Sequence, residues 1–184
     1  MSAARDALLA RFRWVGGHAD VWNIFRDGPA LRIVVQALVE PFPSDRVSAV
    51  VGIESRGFLL GGAAAVELGV GFVAVRKAGS LFPGPKLSAR SATDYRGQCS
   101  EFLLQREAVS PGDRLLLVDD WAETGSSAAA VASLLTAAGG ELIALAVLVD
   151  QLSDHARAGL PAVHAVVRAT DLPLAASEPS PEAL

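Results

Sequence analysis

The passage DRLLLVDDWAETGSSAAAVASLLTAAGGELIALAVLV, residues 113–149, holds a strand, a turn, a helix and a second strand in succession. Its first part, 113–120, is apolar from Leu115 to Val118 and ends on Asp119 and Asp120, which reads as a strand buried on both faces. A glycine-containing turn follows. The run from Ser127 to Ala138 has small and apolar residues suited to a helix, and Gly139 and Gly140 stop it before the apolar run 141–149. Strands without a polar face, joined by helices, belong to a mainly parallel sheet covered on both sides.

The same alternation extends outward in both directions. Residues 47–53, VSAVVGI, form another β-branched run, followed by the Glu54-Ser55-Arg56-Gly57 turn and a helix of small residues through about Leu68. Residues 69–75 and 161–167 supply two further strands, so the expected fold class is open α/β, a mainly parallel sheet flanked by helices. At the amino end, 3–13 reads as a short amphipathic helix, 14–28 as ordered loop or short strands, and PALRIVVQALVE (29–40) as a helix stopped by Pro41 and Pro43. The stretch 77–95 is rich in glycine, proline and small polar residues and too long for a plain connection, so it reads as a lid or as an inserted hairpin. Residues 1–174 are expected to form one domain, and 175–184, AASEPSPEAL, a flexible tail.

Composition narrows the function classes. With 184 residues, 51% of them hydrophobic and 20% charged, the chain is long enough and apolar enough to fold around one core. A net charge of −4 and a pI near 5.3 argue against nucleic acid as a partner. Lys77 and Lys86 are the only lysines, so most cationic groups are guanidiniums, the better bidentate donors to phosphate. Cys99 stands alone, which excludes an internal disulfide and a cysteine-based metal site. Glu67, Arg76 and the aspartate pair interrupt the longest apolar stretches, and charges cross the amino-terminal segment. No membrane span or leader is therefore expected, and the expected location is cytoplasmic. His18, His155 and His164 are too scattered for a metal cluster and read as structural or surface residues.

The chemistry concentrates after the strand at 113–120. In Glu123-Thr124-Gly125-Ser126-Ser127, backbone N–H groups at a helix start, a glycine allowing close approach and three hydroxyls together suit a phosphate. Asp119 and Asp120 are wrong for phosphate but right for sugar hydroxyls, or for Mg²⁺ held partly through water. The plainer alternative makes Ser126 or Ser127 a helix cap and the acids solvent-facing. No GxxxxGK[ST] loop is present and no GxGxxG follows the first strand, which removes both familiar nucleotide-binding loops.

The two acids and the Thr-Gly loop resemble the phosphoribosyl-diphosphate signature of the type I phosphoribosyltransferases. VVGIESRGFLLG (50–61), GVGFVAVRKAG (69–79), NIFRDGPALR (23–32) and VSPGD (109–113) resemble the branch of that family acting on adenine, and the likeness covers most of 20–150. It implies a small amino-terminal hood from about 14–28, a flexible loop, phosphoribosyl diphosphate as co-substrate, Mg²⁺, a purine base and a homodimer. In the implied site, Asp119 and Asp120 bind the ribose hydroxyls and, directly or through water, the metal, while Glu123 to Ser127 hold the 5-phosphate. Arg56, Arg76 and Lys77 face the leaving diphosphate, Phe25 stacks on the purine, the Arg26 backbone bonds its edge, and Trp121 walls the pocket.

Two departures stand out. Arg96-Gly97-Gln98 occupies the register where the family carries Glu-Tyr-Gly, with Asp94 the nearest acid, and Glu123 stands where a small residue is usual. The expected reaction is transfer of a 5-phosphoribosyl group to a purine, adenine first, giving AMP and diphosphate in purine salvage. The alternatives are a non-catalytic protein that binds phosphoribosyl diphosphate or a nucleotide, and a transferase for another nucleobase.

Overall fold

The computed structural model describes residues 2–79, 81–92 and 99–174. At the amino end, α1 (Ser2–Leu9) buries Ala4 and Leu8 and stops short of the expected 13, because Arg13 begins a hairpin of β1 (Arg13–Val15) and β2 (His18–Asp20). One turn of helix, α2 (Trp22–Arg26), then leads into α3 (Gly28–Val39). The segment 14–28 therefore contains the expected short strands and also a helix that the sequence reading did not assign. Asp27 starts α3: its carboxylate accepts the Ala30 N–H at 3.0 Å, with Pro29 in the first turn. That hydrogen bond, and then the Arg11 guanidinium, hold the Asp27 carboxyl below the usual carboxylate range.

The α/β part follows as β3 (Ala49–Ile53), α4 (Arg56–Leu68), β4 (Gly71–Lys77), β5 (Lys86–Arg90), β6 (Glu101–Gln105), β7 (Arg114–Ala122), α5 (Ser126–Ala138), β8 (Glu141–Asp150), α6 (Asp154–Ala158) and β9 (Ala162–Arg168). The sheet order is β5-β6-β4-β3-β7-β8-β9, and the five strands from β4 to β9 in that order pair in parallel. β5 and β6 extend one edge antiparallel, so the described part of 77–95 contains a strand of an antiparallel pair. Residues 93–98, with Asp94 and the Arg96-Gly97-Gln98 departure, and the tail 175–184 lie outside the described residues.

Strand alternation divides the core between two faces. Val50, Leu116 and Val118 pack with Leu8, Ile24, Val34, Leu38 and Leu60 from α1 to α4, while Val51, Leu115 and Leu117 pack with Val131, Leu134 and Leu135 of α5. A fully buried strand such as β3 needs apolar residues at every position, which is why its sequence carries no alternation. Among the described residues no helix is long and apolar enough to cross a membrane.

Candidate functional site

From β3 the chain crosses through α4 to β4 on one side, whereas β7 lies on the other side of β3 and continues to β8 and β9. Connections that diverge from neighbouring parallel strands leave a crevice at their carboxyl ends, the usual ligand site of an open α/β sheet. A cleft of about 520 Å³ lies there, reaching from the β3–α4 turn across the end of β7 to the start of α5. Its size suits a small-molecule ligand.

Two glycines let the walls of this cleft meet. A Cβ on Gly52 would lie 2.3 Å from the Gly57 carbonyl oxygen, and one on Gly57 would lie 3.0 Å from Asp119 Oδ1. Free of both, the α4 start presses against the end of β7, and Arg56 Nη1 comes within 2.8 Å of Asp120 Oδ2. This is an ion pair whose alignment makes no hydrogen bond, so Asp120 Oδ2, in a residue only 6% exposed, is a buried carboxylate oxygen without one. Asp119 Oδ1 accepts the Asp120 N–H at 2.9 Å. Asp119 is half-buried and lines the cleft. Burial first, and the neighbouring Asp120 second, push that carboxyl well above the usual range, with Arg56 opposing more weakly.

The Glu123–Ser127 loop closes the far side of the cleft. Gly125 sits at φ +74°, a backbone conformation that favours glycine, and a Cβ there would crowd Leu160 Cδ1 at 3.0 Å. Gly125 is the N-cap of α5, and no side chain caps the helix, so neither Ser126 nor Ser127 takes the capping role. The Thr124 hydroxyl donates to Ser126 Oγ at 2.9 Å and accepts the Ser126 N–H at 3.3 Å. Hydroxyls and the amino end of α5 thus form one polar rim suited to an anion.

The basic residues separate. Arg56 and Lys77 line the cleft. Arg76 does not: its guanidinium is engaged by Glu54 Oε2 at 2.7 Å and the Leu81 carbonyl at 2.7 Å, and lies 5.9 Å from the Phe82 ring centroid. Glu54 Oε1 also accepts the Lys77 N–H at 3.0 Å, so this acid fixes the end of β4. Phe25 and Arg26 are likewise absent from the cleft lining. Phe25 turns inward against the core beneath the hood and contacts Trp22, and Arg26 is exposed. The hood reaches the cleft through its hairpin instead, with Trp14, Gly17, His18 and Ala19. Trp14 meets Trp121 edge-on at 6.5 Å between ring centroids, and the Trp121 indole N–H donates to Gln151 Oε1 at 2.8 Å. Sequence reasoning found Trp121 but neither Trp14 nor Gln151. The aromatic and glycine-rich run WVGGH was the one available signal for the hairpin.

Comparison with known proteins agrees with this geometry. The phosphoribosyl transferase domain model matches residues 24–171. The adenine phosphoribosyltransferase of Ruegeria pomeroyi is 41% identical over 133 residues, 71% of this chain and 72% of that protein. The enzyme of the same name from a Methylobacterium species is 41% identical over 157 residues, 84% and 80% of the two chains. Among solved structures, adenine phosphoribosyltransferase from Rhodothermus marinus matches with a TM-score of 0.80 at 35% identity, covering 91% of this chain and 99% of that one. The Saccharomyces cerevisiae enzyme, complexed with adenine and an imino-altritol bisphosphate, matches at 0.76 and 30% identity over 90% and 99%.

Proposed function

The chain belongs to the phosphoribosyl transferase family, and from that premise we propose that it transfers the 5-phosphoribosyl group of phosphoribosyl diphosphate to adenine, giving AMP and diphosphate. The observation that carries the reading is convergence: the carboxylate pair, the hydroxyl-rich loop and two cations line one cleft at the sheet's switch point. In the reaction a ring nitrogen of the base forms a bond to the ribose C1 and gives up its hydrogen as a proton to solvent or to the departing diphosphate, while the bond from C1 to the diphosphate oxygen breaks, its electron pair leaving with diphosphate. Positive charge builds on the sugar and negative charge on the leaving group.

Each wall of the cleft meets one part of that charge. Asp119 and Asp120 take the ribose hydroxyls and sit beside the developing cation. Thr124, Ser126, Ser127 and the backbone around Gly125 hold the 5-phosphate, within the loop that Glu123 begins. Arg56 and Lys77 donate to the diphosphate, an interaction that strengthens as the bond breaks and so lowers the barrier. Arg76 acts indirectly, through Glu54, by fixing the strand end that carries Lys77. Trp121 walls the base site, with the Trp14 edge behind it.

The donor set also fits Mg²⁺. Asp120 offers a buried oxygen that makes no hydrogen bond and is ion-paired with Arg56 at 2.8 Å. One or two carboxylates completed by water and substrate oxygens are the usual surroundings of this ion. Asp119 and Asp120 would hold it, and when bound it neutralises charge on the departing diphosphate.

Residues 1–174 act in this reading as one catalytic unit, with 14–28 as hood. A homodimer is part of the proposal, supported by the exposed apolar residues Leu59, Val66 and Phe72 around α4 and β4. A cytoplasmic location accompanies it, in keeping with a chain of one cysteine. The test is AMP formation from phosphoribosyl diphosphate and MgCl₂ with adenine, run beside guanine, hypoxanthine, xanthine, uracil and orotate. Turnover with adenine alone or foremost is expected. Tight binding of phosphoribosyl diphosphate with no nucleotide formed from any base would replace the transferase with a binding protein.

A further inference from the structure

Gln151 follows the last residue of β8 and is fixed twice beside the end of β7. Its backbone N–H donates to the Ala122 carbonyl at 2.8 Å, and its side-chain Oε1 accepts the Trp121 indole N–H at 2.8 Å. An indole nitrogen only donates, so the carbonyl end of the amide must face it, and the orientation of the amide follows from chemistry. The Nε2 group, with two N–H donors, is then turned away from the indole, and among the described residues it has no hydrogen-bond partner. Gln151 is exposed; it lines the cleft together with Trp121 and also borders a smaller cavity beside Asp150, Asp154 and Arg157. A donor held at a known distance from a flat aromatic wall is arranged to meet the edge of a planar ligand lying against that wall.

We propose that Gln151 is a specificity-determining residue for the base: its Oε1 holds Trp121 in place and its Nε2 donates to a ring nitrogen that is bare in adenine, N1. The inference rests on the transferase reading above and deepens it. Adenine presents two such acceptors, N1 and N3, whereas a 6-oxopurine carries hydrogen on N1 and would oppose donor to donor there.

Glutamate at this position separates the two roles. A carboxylate still accepts the indole N–H but offers no donor to the base, while leucine removes both functions. The experiment measures kcat/KM at saturating phosphoribosyl diphosphate for adenine, 1-deazaadenine and 3-deazaadenine with the wild type, Gln151→Glu and Gln151→Leu. Ratios between bases cancel any effect of the added charge on the diphosphate. Gln151→Glu is expected to lose about tenfold with adenine and with 3-deazaadenine, the size of one hydrogen bond, and no more than about twofold with 1-deazaadenine, which lacks the atom being read; a loss spared only with 3-deazaadenine overturns the specificity role. The indole N–H resonance of Trp121, assigned with Trp121→Phe, is expected to stay hydrogen-bonded in Gln151→Glu and to move in Gln151→Leu, which also shows that both variants are folded. Adenine turnover unchanged in Gln151→Glu, or an equal loss with all three bases, overturns the inference while leaving the transferase intact. A wild type inactive with every base overturns the reading beneath it.

Discussion

Asp119 is the residue whose environment makes the firmest prediction. Its carboxyl titrates well above the ordinary range because burial and Asp120 disfavour the charge, so the folded protein holds this proton more tightly than the unfolded chain does. Its contribution to stability is therefore fully present below the usual aspartate range, near pH 4, and is lost as pH rises through the elevated folded value. Asp119→Asn should be more stable than the wild type at neutral pH, by a margin that grows from about pH 4 upward and disappears below it. Urea titrations at a series of pH values read this directly. Arg56 makes the complementary case, because it is the counter-charge of a buried acid and, in the proposed reaction, a donor to the leaving group. Arg56→Met should cost about 1–3 kcal/mol of stability and about 10²–10³ in kcat. Arg56→Met with Asp120→Asn should recover most of the stability and none of the rate.

At the level of elements, the β3–α4 junction sets the site, because Gly52 and Gly57 allow the helix start to close on β7. Gly52→Ala puts a Cβ against the Gly57 carbonyl oxygen at 2.3 Å, where backbone must move. A loss of about 3 kcal/mol in chemical denaturation, with weakened phosphoribosyl diphosphate binding, is expected. The elements themselves were largely legible in the sequence: β3, β4, β7, β8 and β9 are apolar runs bounded by glycine or charge, and α4 and α5 lie between them. β5 was not legible, since KLSAR is a polar edge strand whose identity comes from pairing with β6. α2 was hidden for a related reason, being five residues long without a side-chain cap. The acids and the Thr-Gly loop could be read because they are contiguous. Phe25 and Arg26 were assigned to the base from the family resemblance of NIFRDGPALR, whereas the amino-terminal residues lining the cleft are those of the hairpin, Trp14, Gly17, His18 and Ala19. The pairing of Trp121 with Gln151 spans 30 positions and depends on β7 and β8 lying side by side, which no local pattern records.

For the whole molecule, sheet order decides where chemistry occurs. Because β3 and β7 are neighbours whose connections diverge, the Arg56 turn and the aspartate pair face each other across one crevice, and the amino ends of α4 and α5 both point toward it. The apolar surface left around Val66, 82% exposed, and Leu59 belongs to the scale of assembly. Sedimentation of the wild type should show a dimer, and Val66→Glu with Leu59→Glu should shift it toward monomer, since a buried charge without a partner opposes association. The most direct test of the account is diphosphate release, measured with and without adenine, in the wild type and in Asp119→Asn with Asp120→Asn. The account predicts release that requires adenine, one diphosphate for each AMP formed, and a fall of at least about 10² in rate for a double variant that remains folded. Equal release without a base, or a double variant as fast as the wild type, would contradict it.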